Sequence, residues 1–267
     1  MTYIQLGYSD LALAALLVVA NAGLSLALQL GLERRIAVAA LRMVVQLSLV
    51  GLVLKVLFAT VSPWWTGAAA LGMILFAGQE IMARQDRSLT GWWGYGLGTG
   101  AMLLAAGLVT VFALTTQLRP DPWYHPQYAI PLLGMVLGNT MTGISLGLHG
   151  LAHGVVERRA AIEARLALGD SVGQALLLVV RQSLRSAVMP IVNAMGTTGL
   201  VSLPGMMTGQ ILGGVDPAEA VKYQILIMFL IAGGTTAGAV AAVLGGARRL
   251  TDQRQRLRLD RLSPKRG

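Results

Sequence analysis

Apolar residues run through this chain in blocks of about twenty, separated by short stretches where charge, proline and glycine collect. The blocks predict seven spans, over residues 11–32, 36–61, 64–83, 92–116, 129–152, 187–213 and 221–246. Each is long enough to cross roughly 30 Å of hydrocarbon as an α-helix. The expected fold class is therefore all-α: a polytopic membrane protein with seven transmembrane helices. The transmembrane domain should occupy residues 1–247, with a basic tail over 248–267. The first span lacks the basic start and small-residue cleavage site of a signal peptide, so it is read as a permanent helix.

Composition agrees. Of 267 residues, 55% are hydrophobic and only 12% charged, which excludes an ordinary soluble domain. The absence of cysteine excludes disulfides and thiolate metal sites. A net charge of +9 first suggests nucleic acid, but the distribution of the charges points to topology instead, and no nucleic-acid partner is expected. Arg34, Arg35, Arg84, Arg87, Arg158, Arg159, Arg165, Arg181, Arg185 and the basic residues from Arg248 onward fall on one side of the spans. Only Arg119 and Lys222 fall on the other. The positive-inside rule then places the N-terminus outside and the C-terminus in the cytoplasm, as an odd number of spans requires. The tail is expected to lie on anionic headgroups. Pro63-Trp64-Trp65 and the loop holding Pro120, Trp123, Tyr124 and His125 read as interfacial caps.

One polar segment stands out. From His153 to Ala187 the sequence predicts an amphipathic helix, a break at Gly169, and a second helix capped by Asp170 or Ser171. Ala175 to Val180 is too short an apolar run to cross a bilayer, so this second helix is expected at the interface. Helix, glycine and helix make an elbow between spans five and six, suited to transmitting a push. Other glycines are readily placed. Gly94, Gly96, Gly98 and Gly100 follow no strand and are not a dinucleotide loop. Gly134 and Gly138, or Gly143 and Gly147, have the spacing that lets membrane helices approach closely.

Polar residues inside the spans are costly and need an account. Arg42 and Glu80 should reach similar depth from consecutive antiparallel helices and pair, with Gln46 on the face of Arg42. Lys55 snorkels outward. Asn139 and Thr142 share a face of span five, while Asn193, Met206, Met207 and Gln210 punctuate span six. Arg42, Gln46, Glu80, Asn139, Thr142, Asn193, Met206, Met207 and Gln210 are thus the candidate substrate path, and Pro204-Gly205 the candidate hinge. Most methionines should be adaptable packing, since the unbranched thioether fills irregular gaps. No metal-ligand set is assigned. His149 and His153, four apart, could bind a metal, though a polar interfacial edge is the simpler reading.

Glu163-Ala164-Arg165-x-x-x-Gly169 resembles the Glu-Ala-Ala-x-x-x-Gly coupling motif of ABC-transporter membrane subunits, with Arg165 at the divergent third position. The segment Leu41-Arg42-Met43-Val44-Val45-Gln46-Leu47, Ile130 to Met135 with Gly138-Asn139, and above all Gly199 to Leu212 resemble the FetB-like family of bacterial iron-export permeases, to which plant aluminium-sensitivity permeases are related. Asp216-Pro217 and Tyr223-Gln224 extend the resemblance to the last span. It implies a permease subunit in the bacterial inner (plasma) membrane that exports iron or a related metal species. Two permease copies would pair with a separate ABC ATP-binding subunit, which docks on the elbow through Glu163, Ala164 and Gly169. The chain itself has no Gly-x-x-x-x-Gly-Lys-Ser/Thr loop, so ATP is used by the partner; no enzyme activity and no cofactor are expected in this subunit. Rival readings are an ABC permease for an organic anion such as a nucleotide-sugar, which Arg42 could serve, or an ATPase-independent transporter or channel. The latter would need membrane carboxylates, of which Glu80 is the clear example. A membrane-embedded enzyme would need acids near His149 and His153 within the membrane.

Overall fold

The computed structural model describes residues 7–252 and 254–264, and the regular elements among them are all helical. Seven helices are long and apolar enough to cross a membrane: α1 (Tyr8–Ala27), α2 (Glu33–Thr60), α3 (Pro63–Ala83), α4 (Trp92–Leu118), α5 (Pro126–Glu157), α7 (Val172–Thr197) and α9 (Pro217–Arg249). Between them lie two short helices, α6 (Arg159–Ala167) and α8 (Gly205–Leu212). The chain forms two compact units, Met1–Val61 with Leu212–Gly214, and Ser62–Ile211 with Val215–Gly267.

In the first unit α1 and α2 form an antiparallel hairpin organised by Ser25. Its buried hydroxyl accepts the Leu32 N–H at 3.0 Å and donates to Glu33 at 3.2 Å, while Gly31 supplies the left-handed turn at φ +66°. Glu33 opens α2, where a carboxylate complements the helix dipole. Leu41, Val44, Leu47 and Leu52 are exposed on α2, a surface suited to hydrocarbon.

In the second unit α5 is the central post, packed by α3, α7 and α9. Val136, Ile144, Met102 and Ile81 are fully buried at its centre. Small residues set how closely the helices approach. A Cβ on Gly143 would stand 2.6 Å from Thr235 Cγ2 and 3.2 Å from the Ala187 carbonyl oxygen. One on Gly147 would meet Val243 at 2.8 Å, and one on Gly154 would meet Val179 at 2.8 Å. The Gly143/Gly147 pair is therefore a packing face. Gly134 meets only the Met73 methyl at 3.4 Å and Gly138 meets nothing. Within α4, two π-helical stretches, Leu103–Gly107 and Ala113–Leu118, flank a short α-helical turn.

The sixth span differs from its expected bounds. It is α7, running from Val172 to Thr197, so the expected interfacial second helix of the elbow is the first half of the span itself. Arg181 and Arg185 are exposed on it, and long guanidinium stems can carry their charge to an interface. At its far end Gly199 turns the chain at φ +91°, its N–H bonding the Ser202 carbonyl at 2.9 Å. Pro204-Gly205 consequently starts the separate helix α8; it does not kink span six. The proline inside α7 is Pro190.

The tail differs too. Leu250 and Leu262 are buried in a second apolar cluster with Leu89, Ile162 and Leu176. The Thr90 N–H bonds the Arg261 carbonyl and the Ser263 N–H bonds the Ser88 carbonyl, each at 2.8 Å. The tail is thus clasped onto the loop between α3 and α4, a protein contact that the headgroup expectation did not include.

Candidate functional site

A short helix, a break at Gly169 and a second helix follow one another as the sequence suggests, but the second helix is the start of a span and not an interfacial segment. Ile162 is buried on the inner face of α6, and Leu166 packs behind it. Glu163 and Ala164 are exposed on the outer face. Helix α6 ends in a Schellman motif: Gly169, at φ +98°, donates its N–H to the Leu166 carbonyl at 3.1 Å, and Asp170 donates to the Arg165 carbonyl at 3.0 Å. Ser171, one of the two expected caps, begins α7 through a reciprocal capping box with Gln174. Asp170 instead takes the Arg165 guanidinium at 2.6 Å. Glu163 accepts from Arg159 at 2.8 Å on its own helix.

The tail reaches this joint. The side-chain carbonyl of Gln255 accepts the Val172 N–H at 2.7 Å, satisfying one of the free donors at the start of α7. Arg258 grips Asp260 at 2.8 Å and 2.9 Å, which lowers the Asp260 carboxyl to about 2. Backbone N–H groups of Arg256 and Arg254 and the Arg256 guanidinium lower Asp252 as well. Loop, elbow and tail therefore share one end of the second unit.

The membrane-depth residues are placed as follows. Asn139 donates its amide to the Met135 carbonyl at 2.9 Å and Thr142 its hydroxyl to Gly138 at 3.0 Å, both on the less buried face of α5. Asn193 is exposed on α7. The close approaches Gly154/Val179, Gly150/Ser183 and Gly143/Ala187 fix an antiparallel register, and one further turn sets Asn139 level with Ile191 and Asn193. The structure thus brings the two asparagines to one depth. Met206 packs on the main core together with Met135 and Met141, in keeping with methionine as packing. Met207 is half-buried, and the Gln210 Oε1 is buried without a hydrogen-bond partner among the described residues. Arg42 and Gln46 lie on α2 in the first unit, Glu80 on α3 in the second.

Two cavities in the second unit accompany these residues. One, of about 810 Å³ and almost wholly apolar, is lined by Trp64, Trp123 and Tyr124 and by Thr66 and Thr110, whose hydroxyls have no hydrogen-bond partner among the described residues. The other, of about 350 Å³, lies near the elbow and is lined by Asp86, Arg87, His149, His153 and Glu157. Sequence spacing pairs the histidines, but the contribution of Asp86 from the α3–α4 loop could not be foreseen. Pro190 and Gln255 also went unnoticed, although an interior proline in an apolar run was a visible signal.

Seven apolar helices, a glycine-packed bundle and an amphipathic elbow define a multi-pass helical membrane protein. The chain belongs to the UPF0014 family, described as an uncharacterised protein family, whose model matches residues 8–251. That match covers all seven spans and stops where the tail clasp begins. The chain is 39% identical to a UPF0014 membrane protein of Synechocystis over 221 residues, covering 81% of this chain and 83% of the relative. It is 34% identical to the protein ALUMINUM SENSITIVE 3 of Arabidopsis thaliana, covering 86% and 82%. It is also 32% identical to the probable iron export permease protein FetB of Escherichia coli, covering 96% of each chain. No solved structure matches the chain significantly.

Proposed function

We propose that this chain is the membrane permease subunit of an ATP-driven exporter of iron or a related metal species. It sits in a bacterial plasma membrane with its elbow and tail in the cytoplasm. A separate ATP-binding subunit docks on α6, and two permease copies complete the assembly. The carrying observation is the joint at Gly169. A surface helix with an exposed outer face ends in a glycine motif and leads, through a capped first turn, directly into a membrane span. Movement of α6 is therefore passed to α7 by a short, hydrogen-bonded lever and not by a slack loop. Likeness to an iron export permease across nearly the whole chain supports the substrate.

In this reading Glu163, Ala164 and Gly169 form the contact with the ATPase. Movement of α7 shifts Asn193 relative to Asn139, while the break at residues 198–204 and Pro204-Gly205 let α8 follow. Each unit offers its own residues to the path: Arg42 and Gln46 on α2 in the first, and Glu80, Met206, Met207 and Gln210 in the second. Glu163→Lys reverses the charge on the exposed face and removes the pair with Arg159. Its expected effect in vesicles holding both subunits is continued ATP hydrolysis with iron transport reduced by at least about tenfold, the scale of a lost charge-assisted contact. Normal coupling in that variant would refute the elbow's role.

A further inference from the structure

The cavity beside the elbow has a chemistry of its own. His149 and His153 lie one turn apart on the last part of α5, with ring centroids 6.3 Å apart, and both line this 350 Å³ cleft. Two imidazoles at that spacing on one helical face are a recurrent metal-chelating arrangement. The Glu157 carboxylate lies 3.5 Å from His153 Nδ1, one turn further on. A carboxylate on one ring nitrogen fixes the tautomer and leaves Nε2 free to ligate. Asp86 enters from the α3–α4 loop and supplies a hard oxygen donor. Arg87 also lines the cleft, but two carboxylates face it, so the acidic groups outnumber the basic one.

We infer that this cleft is a loading site for a divalent first-row transition-metal cation, with His149, His153 and Asp86 as ligands and Glu157 positioning His153. Among the described residues, no group of three His, Asp or Glu side chains already stands in position to hold an ion. The site is therefore open and weak, a pair of imidazoles with Asp86 in the lining beside them. Weakness suits a transporter, because an ion held too tightly at an entrance does not leave it. Mixed nitrogen and oxygen donors suit a borderline cation such as ferrous iron better than a hard alkaline-earth ion. The role as a loading site rests on the permease reading; the binding itself does not.

The test is equilibrium titration of Co²⁺ into the full-length permease, in nanodiscs of zwitterionic lipid, without ATP or partner. The expected result is saturable binding that weakens at least about tenfold in His149→Ala/His153→Ala and about tenfold in Glu157→Gln. His125→Ala removes the remaining histidine, at the start of α5, and should leave binding unchanged. No saturable binding by the unsubstituted chain, or equal affinity in the double variant with its helical spectrum intact, would overturn the inference. Since this readout needs neither ATP hydrolysis nor flux, its failure is distinct from a failure of the transport reading.

Discussion

At the residue scale the bundle depends on what is missing from α5. A methyl group at position 143 would press on the Thr235 side chain and on the Ala187 backbone oxygen, which cannot rotate away. At position 138, five residues earlier, there is open space. Gly143→Ala should therefore destabilise the bundle by about 1–3 kcal/mol, the usual cost of overpacking. Gly138→Ala should be neutral or stabilise by about 0.5–1 kcal/mol through helix propensity. Thermal unfolding in detergent checks the pair, and equal shifts in both would contradict the packing account. Both positions were legible as small-residue pairs. Which one packs was not, because spacing within one helix says nothing of the neighbour's side chains.

At the element scale, the gap between expectation and structure has a physical cause. Arg181 and Arg185 interrupt the apolar run before Ala187, so the sequence places the start of span six after them. Tertiary packing reverses that choice: Ala175, Leu176, Val179 and Ser183 face α5 and hold the helix together while both arginines point outward. The elbow itself was legible down to Gly169 and Ser171, because glycine and serine act through local backbone geometry. The tail was read by charge alone, although Leu250, Leu257 and Leu262 mark an apolar face within it. The clasp also carries a pH signature. The folded Asp260 carboxyl titrates near 2, below the ordinary 3.8, so its contribution is complete above the ordinary value and is lost as pH falls through the folded one. Amide protection of Thr90 and Ser263 should thus be constant from about pH 8 to about pH 5 and decline only in stronger acid. Loosening centred near neutrality would show that another group governs the clasp.

For the whole molecule, the seven spans were legible because lipid leaves a chain few ways to satisfy its backbone. Their division into two compact units was not, since it depends on which apolar faces meet. The proposed orientation follows from the basic loops, and the absence of cysteine makes it directly accessible. With impermeant maleimide, Trp123→Cys should react in right-side-out membranes and Gln255→Cys only in inside-out vesicles. Reaction of both from the same face would contradict an odd number of spans between them. In the proposed assembly this subunit moves its substrate only when an ATPase drives the elbow. Proteoliposomes containing the permease alone, or the permease with its ATP-binding partner, should therefore be compared for iron movement against a gradient. Uphill movement is expected only with both subunits and ATP present; sustained uphill flux by the permease alone would contradict the account.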